Sequence, residues 1–174
     1  MRGQLVVGDR VLLDASFRVA RARLEILARD GMLLWASEAA YSEGVTGLVK
    51  AAGPAAGLTR LAGVPLDHLA GTDDCSHMAL QWVAIAADGK LFTALDAALM
   101  LVPAGDQISA LTLAGAYRPQ PGRACDGLEP AIVRGCATAA IRSFLARVTC
   151  ALVHPAGTAE HDDNVRLDDP YGAP

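Results

Sequence analysis

The stretch that most constrains how this chain can fold runs from Leu111 to Val153. It opens as Leu111-Thr112-Leu113-Ala114-Gly115-Ala116-Tyr117, where large residues at every second position alternate with small or polar ones, the period of a strand. Arg118-Pro119-Gln120-Pro121-Gly122 cannot continue a ladder, because its two prolines lack donors. A loop carrying Gly122, Asp126 and Gly127 then leads to Pro130 in the first turn of a helix. From Ala137 onward Ala137, Ile141, Phe144, Leu145, Val148 and Leu152 share one face, while Thr138, Arg142, Ser143 and Arg147 occupy the other. His154-Pro155-Ala156-Gly157 ends the helix. A strand followed by a long one-sided helix, at the end of a strand-rich chain, predicts a helix that lies across a sheet and closes it.

Upstream, Val11, Leu13, Ala15 and Phe17 alternate with Asp14, Ser16 and Arg18, which predicts a first strand over 11–18. From Val19 the period changes: Leu24, Leu27 and Ala28 form an apolar stripe, and Arg21, Glu25 and Arg29 stand four apart, so a helix running to Gly31 is expected. A second, shorter helix is predicted over Leu34 to Tyr41, broken by Ser42-Glu43-Gly44. Val45 to Lys50 then reads as a second strand, and Gly53-Pro54 and Gly57 separate it from a third between Leu58 and Leu69. Gly63 and Pro65 make that third strand an edge. Met78 to Ala86 and Leu91 to Val102 flank the hairpin signal Asp88-Gly89, and Pro103-Ala104-Gly105-Asp106 turns into the last strand at about Ile108. The sum is an antiparallel meander of about six strands.

The runs LTLAGAYRPQPG, AAIRSFLARV, LQWVAIAADGKLFTALDAALML and ASEAAYSEGVTGLV together resemble the START-like, or SRPBCC, superfamily of helix-grip proteins, in the form met among uncharacterised bacterial members. The resemblance covers roughly residues 10 to 153 and rests on element order and hydrophobic pattern, not on an active-site motif. It implies an α+β fold in which a curved antiparallel sheet wraps around the C-terminal helix, with two short helices after the first strand. Gln120 separates two prolines that such relatives are expected to carry side by side, which bears on the shape of that loop alone.

With 174 residues, 52% of them hydrophobic, the chain suits one domain with a substantial core, expected over 1–153. Residues 154–174 carry Glu160, Asp162, Asp163, Asp168 and Asp169 against Arg166 and read as a mobile acidic tail. The remainder holds 14 acidic and 14 basic residues and is neutral. A net charge of −4 argues against a nucleic-acid binder. Cys75, Cys125, Cys136 and Cys150 form no C-x-x-C pair, so reduced thiols in the cytoplasm are expected. The start MRGQLVVGDR lacks a signal-peptide core, and no segment reaches the roughly 18 uncharged residues of a membrane span, so neither export nor membrane insertion is expected.

The bulky parity of each strand assigns Leu80, Trp82 and Ala84, then Leu95, Ala97, Leu99 and Leu101, then Leu111, Leu113, Gly115 and Tyr117 to the helix-facing side. Ala84, Ala97 and Gly115 are small and lie opposite Ala137. An empty space of about 300 Å³ there would cost about 7 kcal/mol, so something should fill it. Trp35, Phe17, Trp82 and Phe144 are one filler. An apolar ligand is the other, walled by Trp82, Leu99, Leu113, Tyr117, Ile141 and Phe144; the resemblance implies this use, since helix-grip proteins commonly hold lipids, polyketides or other hydrophobic molecules there. The outward parity (Ala79, Val83, Ile85, Ala98, Met100, Ala114, Ala116) is unusually apolar, which leaves two readings: small residues in water, or a face covered by a second copy or another partner.

Asp73-Asp74-Cys75-Ser76-His77 crowds three types of metal ligand into one turn with no second group at a recognised spacing, and reads as a solvated loop. His68, His154 and His161 are scattered, no phosphate-binding glycine motif is present, and Asp96 falls on the outward parity. No catalytic residue, metal or cofactor is therefore assigned. Three functions stay open: a carrier of a lipid-, polyketide- or isoprenoid-like molecule; a polyketide cyclase- or dehydratase-like enzyme, whose base would come from Tyr117, Glu38, Tyr41 or His77; and an interaction protein using the convex face or the tail.

Overall fold

The computed structural model describes residues 4–53, 59–86, 88–118 and 128–155. The proline-containing loop after Arg118, Cys125, the Pro54–Leu58 connection and the acidic tail beyond Pro155 lie outside these residues. Six strands form one antiparallel sheet: β1 (Leu5–Leu13), β2 (Arg60–Gly63), β3 (Ala70–Gly71), β4 (Ser76–Ile85), β5 (Leu91–Pro103) and β6 (Ser109–Tyr117). Their order is β1-β6-β5-β4-β2, with β3 also on β4. Helices α1 (Phe17–Arg29) and α2 (Met32–Ala52) follow β1, and α3 (Pro130–Val153) ends the described chain. This is the expected helix-grip arrangement.

The strand parities follow the predicted faces. Leu80, Trp82 and Ala84 on β4, Leu95, Leu99 and Leu101 on β5, and Leu111, Leu113 and Tyr117 on β6 are buried on the side where α3 packs. The parity holds along β5 back to a bulge, where Trp82 faces Leu95 and Val83 faces Thr93, so Ala94 is the extra residue and Phe92 also turns inward. Asp88-Gly89 makes the predicted turn, with Gly89 at φ 81 and the Ala86 N–H bonded to the Lys90 carbonyl at 2.8 Å. The third strand, expected between Leu58 and Leu69, is shorter: β2 covers only Arg60–Gly63, with a bulge between Leu61 and Gly63, and the chain then keeps to the edge of β4 by a single Leu66–Leu80 bridge before β3, the edge position that Gly63 and Pro65 led one to expect.

Two expectations fail in the N-terminal third. The first strand is Leu5–Leu13 and not 11–18: Ser16 sits at the helix N-cap in an extended conformation, and Phe17 and Arg18 are already helical. The alternation ran past the strand because Phe17, in the first turn of α1, is buried in the same core as Leu13. The second correction is larger. α2 is not a short helix ended by Ser42-Glu43-Gly44, and Val45 to Lys50 is not a strand; α2 continues for 21 residues. Its buried stripe, Leu33, Ala36, Ala40, Tyr41, Val45 and Leu48, keeps helical spacing through the glycines. Gly44 and Gly47 are where α3 comes close: a Cβ at Gly44 would stand 3.0 Å from the Ala140 Cβ, and one at Gly47 would stand 3.2 Å from the Cys136 sulfur. Residues that weaken a lone helix are here the contact that lets two helices meet. The joint between α1 and α2 is Gly31, in the left-handed region at φ 77, a helix stop of the expected kind.

α3 is long and apolar enough to cross a membrane, the one such helix among the described residues. Its apolar face, from Val133 through Ala137, Ile141, Phe144 and Val148 to Leu152, is buried inside this fold. On the flanks, the Arg142 Nε donates to the Asp9 carboxylate at 2.8 Å, tying α3 to β1, and Arg147 pairs with Glu43 of α2.

Candidate functional site

The space between sheet and α3 is the candidate site. Of the ten residues assigned to it, Trp82, Ala84, Ala97, Leu99, Leu113, Tyr117, Ala137, Ile141 and Phe144 fall into one contiguous buried cluster. Gly115 behaves differently. It is half-buried, and a Cβ built on it would overlap β5, 2.3 Å from the Asp96 carbonyl oxygen and 2.5 Å from the Ala97 Cα. Glycine at this position serves a close backbone approach between strands and leaves no room for a larger side chain.

Aromatic rings occupy the middle. Trp82 lies edge-on between Tyr41 of α2 and Phe144 of α3, with ring centroids 6.1 Å away on both sides and interplanar angles of 85° and 71°. Trp82 and Phe144 are fully buried. Trp35 is not among these fillers: it is 51% exposed on the outer side of α2, with the Arg147 guanidinium 5.3 Å above its ring.

The polar content of this interior is small and specific. The Tyr41 hydroxyl and the Thr59 Oγ1 share a hydrogen bond of 2.9 Å. Burial pushes the Tyr41 phenol up from its ordinary value of 10.0, and the Thr59 contact offsets this only in part. Three further groups are fully buried with no hydrogen-bond partner, the indole N–H of Trp82, the hydroxyl of Ser37, one helical turn before Tyr41, and the hydroxyl of Ser76, on the same inward parity of β4 as Trp82. Among the described residues the buried polar side chains outside the apolar set are Ser37, Thr59, Ser76 and Ser109, and none is a carboxylate, histidine, lysine or arginine. The four groups considered as a base divide accordingly. Glu38 is exposed, His77 is exposed on the convex face, and Tyr41 and Tyr117 are inside. Ser37 was missed although it lies inside the helix expected over Leu34–Tyr41; its place four residues before the buried Tyr41 was the signal that could have found it.

The 73–77 segment makes the connection from β3 into β4, with the Thr72 N–H on the Cys75 carbonyl at 2.8 Å; Asp73 and Asp74 are exposed, and Ser76 is buried. No group of three His, Cys, Asp or Glu side chains suited to a metal ion occurs among the described residues. Asp96 lies on the outer face, where its parity put it.

The antiparallel sheet packed against the last described helix is a helix-grip fold. No family model matches the sequence, and no curated protein matches it. Solved structures are similar to it in chain course. A conserved protein from Geobacillus kaustophilus is 12% identical, with 85% of this chain and 95% of that chain covered and a TM-score of 0.47. A START superfamily protein from Mycobacterium smegmatis is 11% identical over 86% of this chain and 97% of that chain, TM-score 0.39. Norcoclaurine synthase from Thalictrum flavum is 10% identical over 87% of this chain and 95% of that chain, TM-score 0.41.

Proposed function

We propose that the protein binds a mostly apolar small molecule, of lipid-, polyketide- or isoprenoid-like character, between the sheet and α3 and does not transform it. The observation that carries this reading is the unpartnered, fully buried Trp82 indole N–H, set between Tyr41 and Phe144 within walls that are otherwise aliphatic and aromatic. A buried donor without an acceptor costs about 1–3 kcal/mol, a cost relieved when a ligand brings an oxygen to it. Apolar walls with one or two orienting polar groups are the usual chemistry of a small-molecule pocket. The absence of convergent charged groups among the described interior residues favours holding over catalysis. In this reading the small Ala84, Ala97 and Ala137, with Leu99, Leu113, Ile141 and Tyr117 of the same buried cluster, line the rest of the site.

The test is titration with Nile red, a neutral dye that carries a carbonyl oxygen and brightens in apolar surroundings. Saturable binding by the folded protein is expected. Trp82→Phe, which keeps an aromatic ring and removes the donor, should weaken it by about three- to tenfold, the worth of one hydrogen bond. A folded wild-type protein that gives no saturable signal would remove this reading and leave the interior as packing alone.

A further inference from the structure

The convex side of the sheet has a pattern that the binding reading does not use. The strand register places Gly8, Ala114, Ala98 and Ala79 in one row across β1, β6, β5 and β4. One row towards the β6 C-terminus are Val6, Ala116, Asp96 and Gln81; one row the other way are Arg10, Thr112, Met100 and His77. Around Ala114, therefore, Arg10 and Asp96 occupy opposite corners of a block, and Val6 and Met100 occupy the other two. All four are exposed, Val6 by 86% and Met100 by 38%. The Arg10 guanidinium makes no ion pair among the described residues, and Asp96 has only a long 3.4 Å contact from Gln81.

We infer that this face is a docking surface for a second copy of the same chain, sheet against sheet. The argument is charge complementarity under two-fold symmetry. An axis lying between the two sheets, over Ala114 and at right angles to the Arg10–Asp96 diagonal, exchanges the two corners. Each copy's Arg10 then meets the partner's Asp96, and both ion pairs form at once, as an isologous interface requires. The same axis runs close to Val6 and Met100 and sets each beside its own counterpart, so the exposed apolar groups lie in the middle and the charges to either side. Facing sheets normally stand about 10 Å apart, and the central row of glycine and alanine permits at least that approach. No helix among the described residues has its buried stripe on this side. A four-stranded face of about 15 residues a side falls below the usual 20–30 of a stable complex, so a micromolar dissociation constant is expected.

Sedimentation of the full chain over about 1 to 200 µM, bracketing that estimate, reads the equilibrium. A dimer is expected for wild type. Arg10→Glu and Asp96→Arg each put like charges together and should weaken it at least tenfold, and an equimolar mixture of the two variants should restore it, because every contact in the mixed dimer is again opposite in sign. Ala114→Arg at the centre should abolish it, with circular dichroism showing each variant folded. A monomeric wild type across the range overturns the inference. So does a dimer insensitive to either charge reversal, as pairing through the β1 edge would give, or a loss that mixing fails to restore.

Discussion

Trp82 and Phe144 illustrate how much one side chain decides here. Phe144 has no exposure, and its nearest ring is an indole whose N–H is itself unpartnered. Phe144→Ala removes a large apolar side chain from a place the neighbours cannot close, and about 3–5 kcal/mol of stability should go with it, read as the shift in a urea midpoint. If the site is roomy, part of the loss is recovered and dye retention suffers instead. An unchanged midpoint with unchanged dye affinity would contradict the placement of Phe144 between helix and sheet. Gly115 makes the opposite point. Filling the space with a leucine at this position is not open as a test, because the added Cβ would run into the β5 backbone before any side chain reached the interior.

Among the elements, the α2–α3 contact departs furthest from local preference. An exposed helical glycine replaced by alanine ordinarily stabilises by up to about 1 kcal/mol. At Gly44 the new methyl would lie 3.0 Å from the Ala140 Cβ, tighter than an ordinary contact, so Gly44→Ala should gain nothing. Gly44→Leu should cost about 1–3 kcal/mol or more by forcing the helices apart. Denaturation of the two variants alongside wild type checks this. A Gly44→Ala protein more stable by the full helix-propensity gain would mean that the close approach of α2 to α3 is not needed.

For the molecule as a whole, the helix is held to the sheet by burial, and two charged clamps respond to acid. The Asp9 carboxyl is held below its ordinary 3.8, first by the Arg10 backbone N–H and then by the Arg142 guanidinium. Glu43 is held below 4.5, first by the Ser143 hydroxyl and then by Arg147. Because the folded values are lowered, the stability these groups contribute is complete above the unfolded values and is lost as pH falls through the lowered ones. Asp9→Asn should therefore be less stable than wild type near neutrality by about 0.5 kcal/mol, the scale of a solvent-exposed pair, and the difference should shrink below about pH 4. Melting temperatures at pH 7, 5 and 3 test the sign; a difference that grows in acid would refute it.

Periodicity alone determined the C-terminal half. Strands β4 to β6 and helix α3 carry two- and 3.6-residue patterns, interrupted in β5 by the bulge at Ala94; each element reads correctly from its own residues, and together they name the inward face down to Trp82, Leu113 and Phe144. The N-terminal third was decided by tertiary contact. Ser42-Glu43-Gly44 looks like a stop, but it remains helical because Gly44 and Gly47 seat α3 and because Glu43 finds Arg147 across the interface. The same helix brings Tyr41 against the indole of Trp82, a contact between elements far apart in sequence that no local pattern reports. Local pattern reports which side of an element is apolar; only packing reports how closely two elements approach, and that distance separates a break in α2 from its contact with α3.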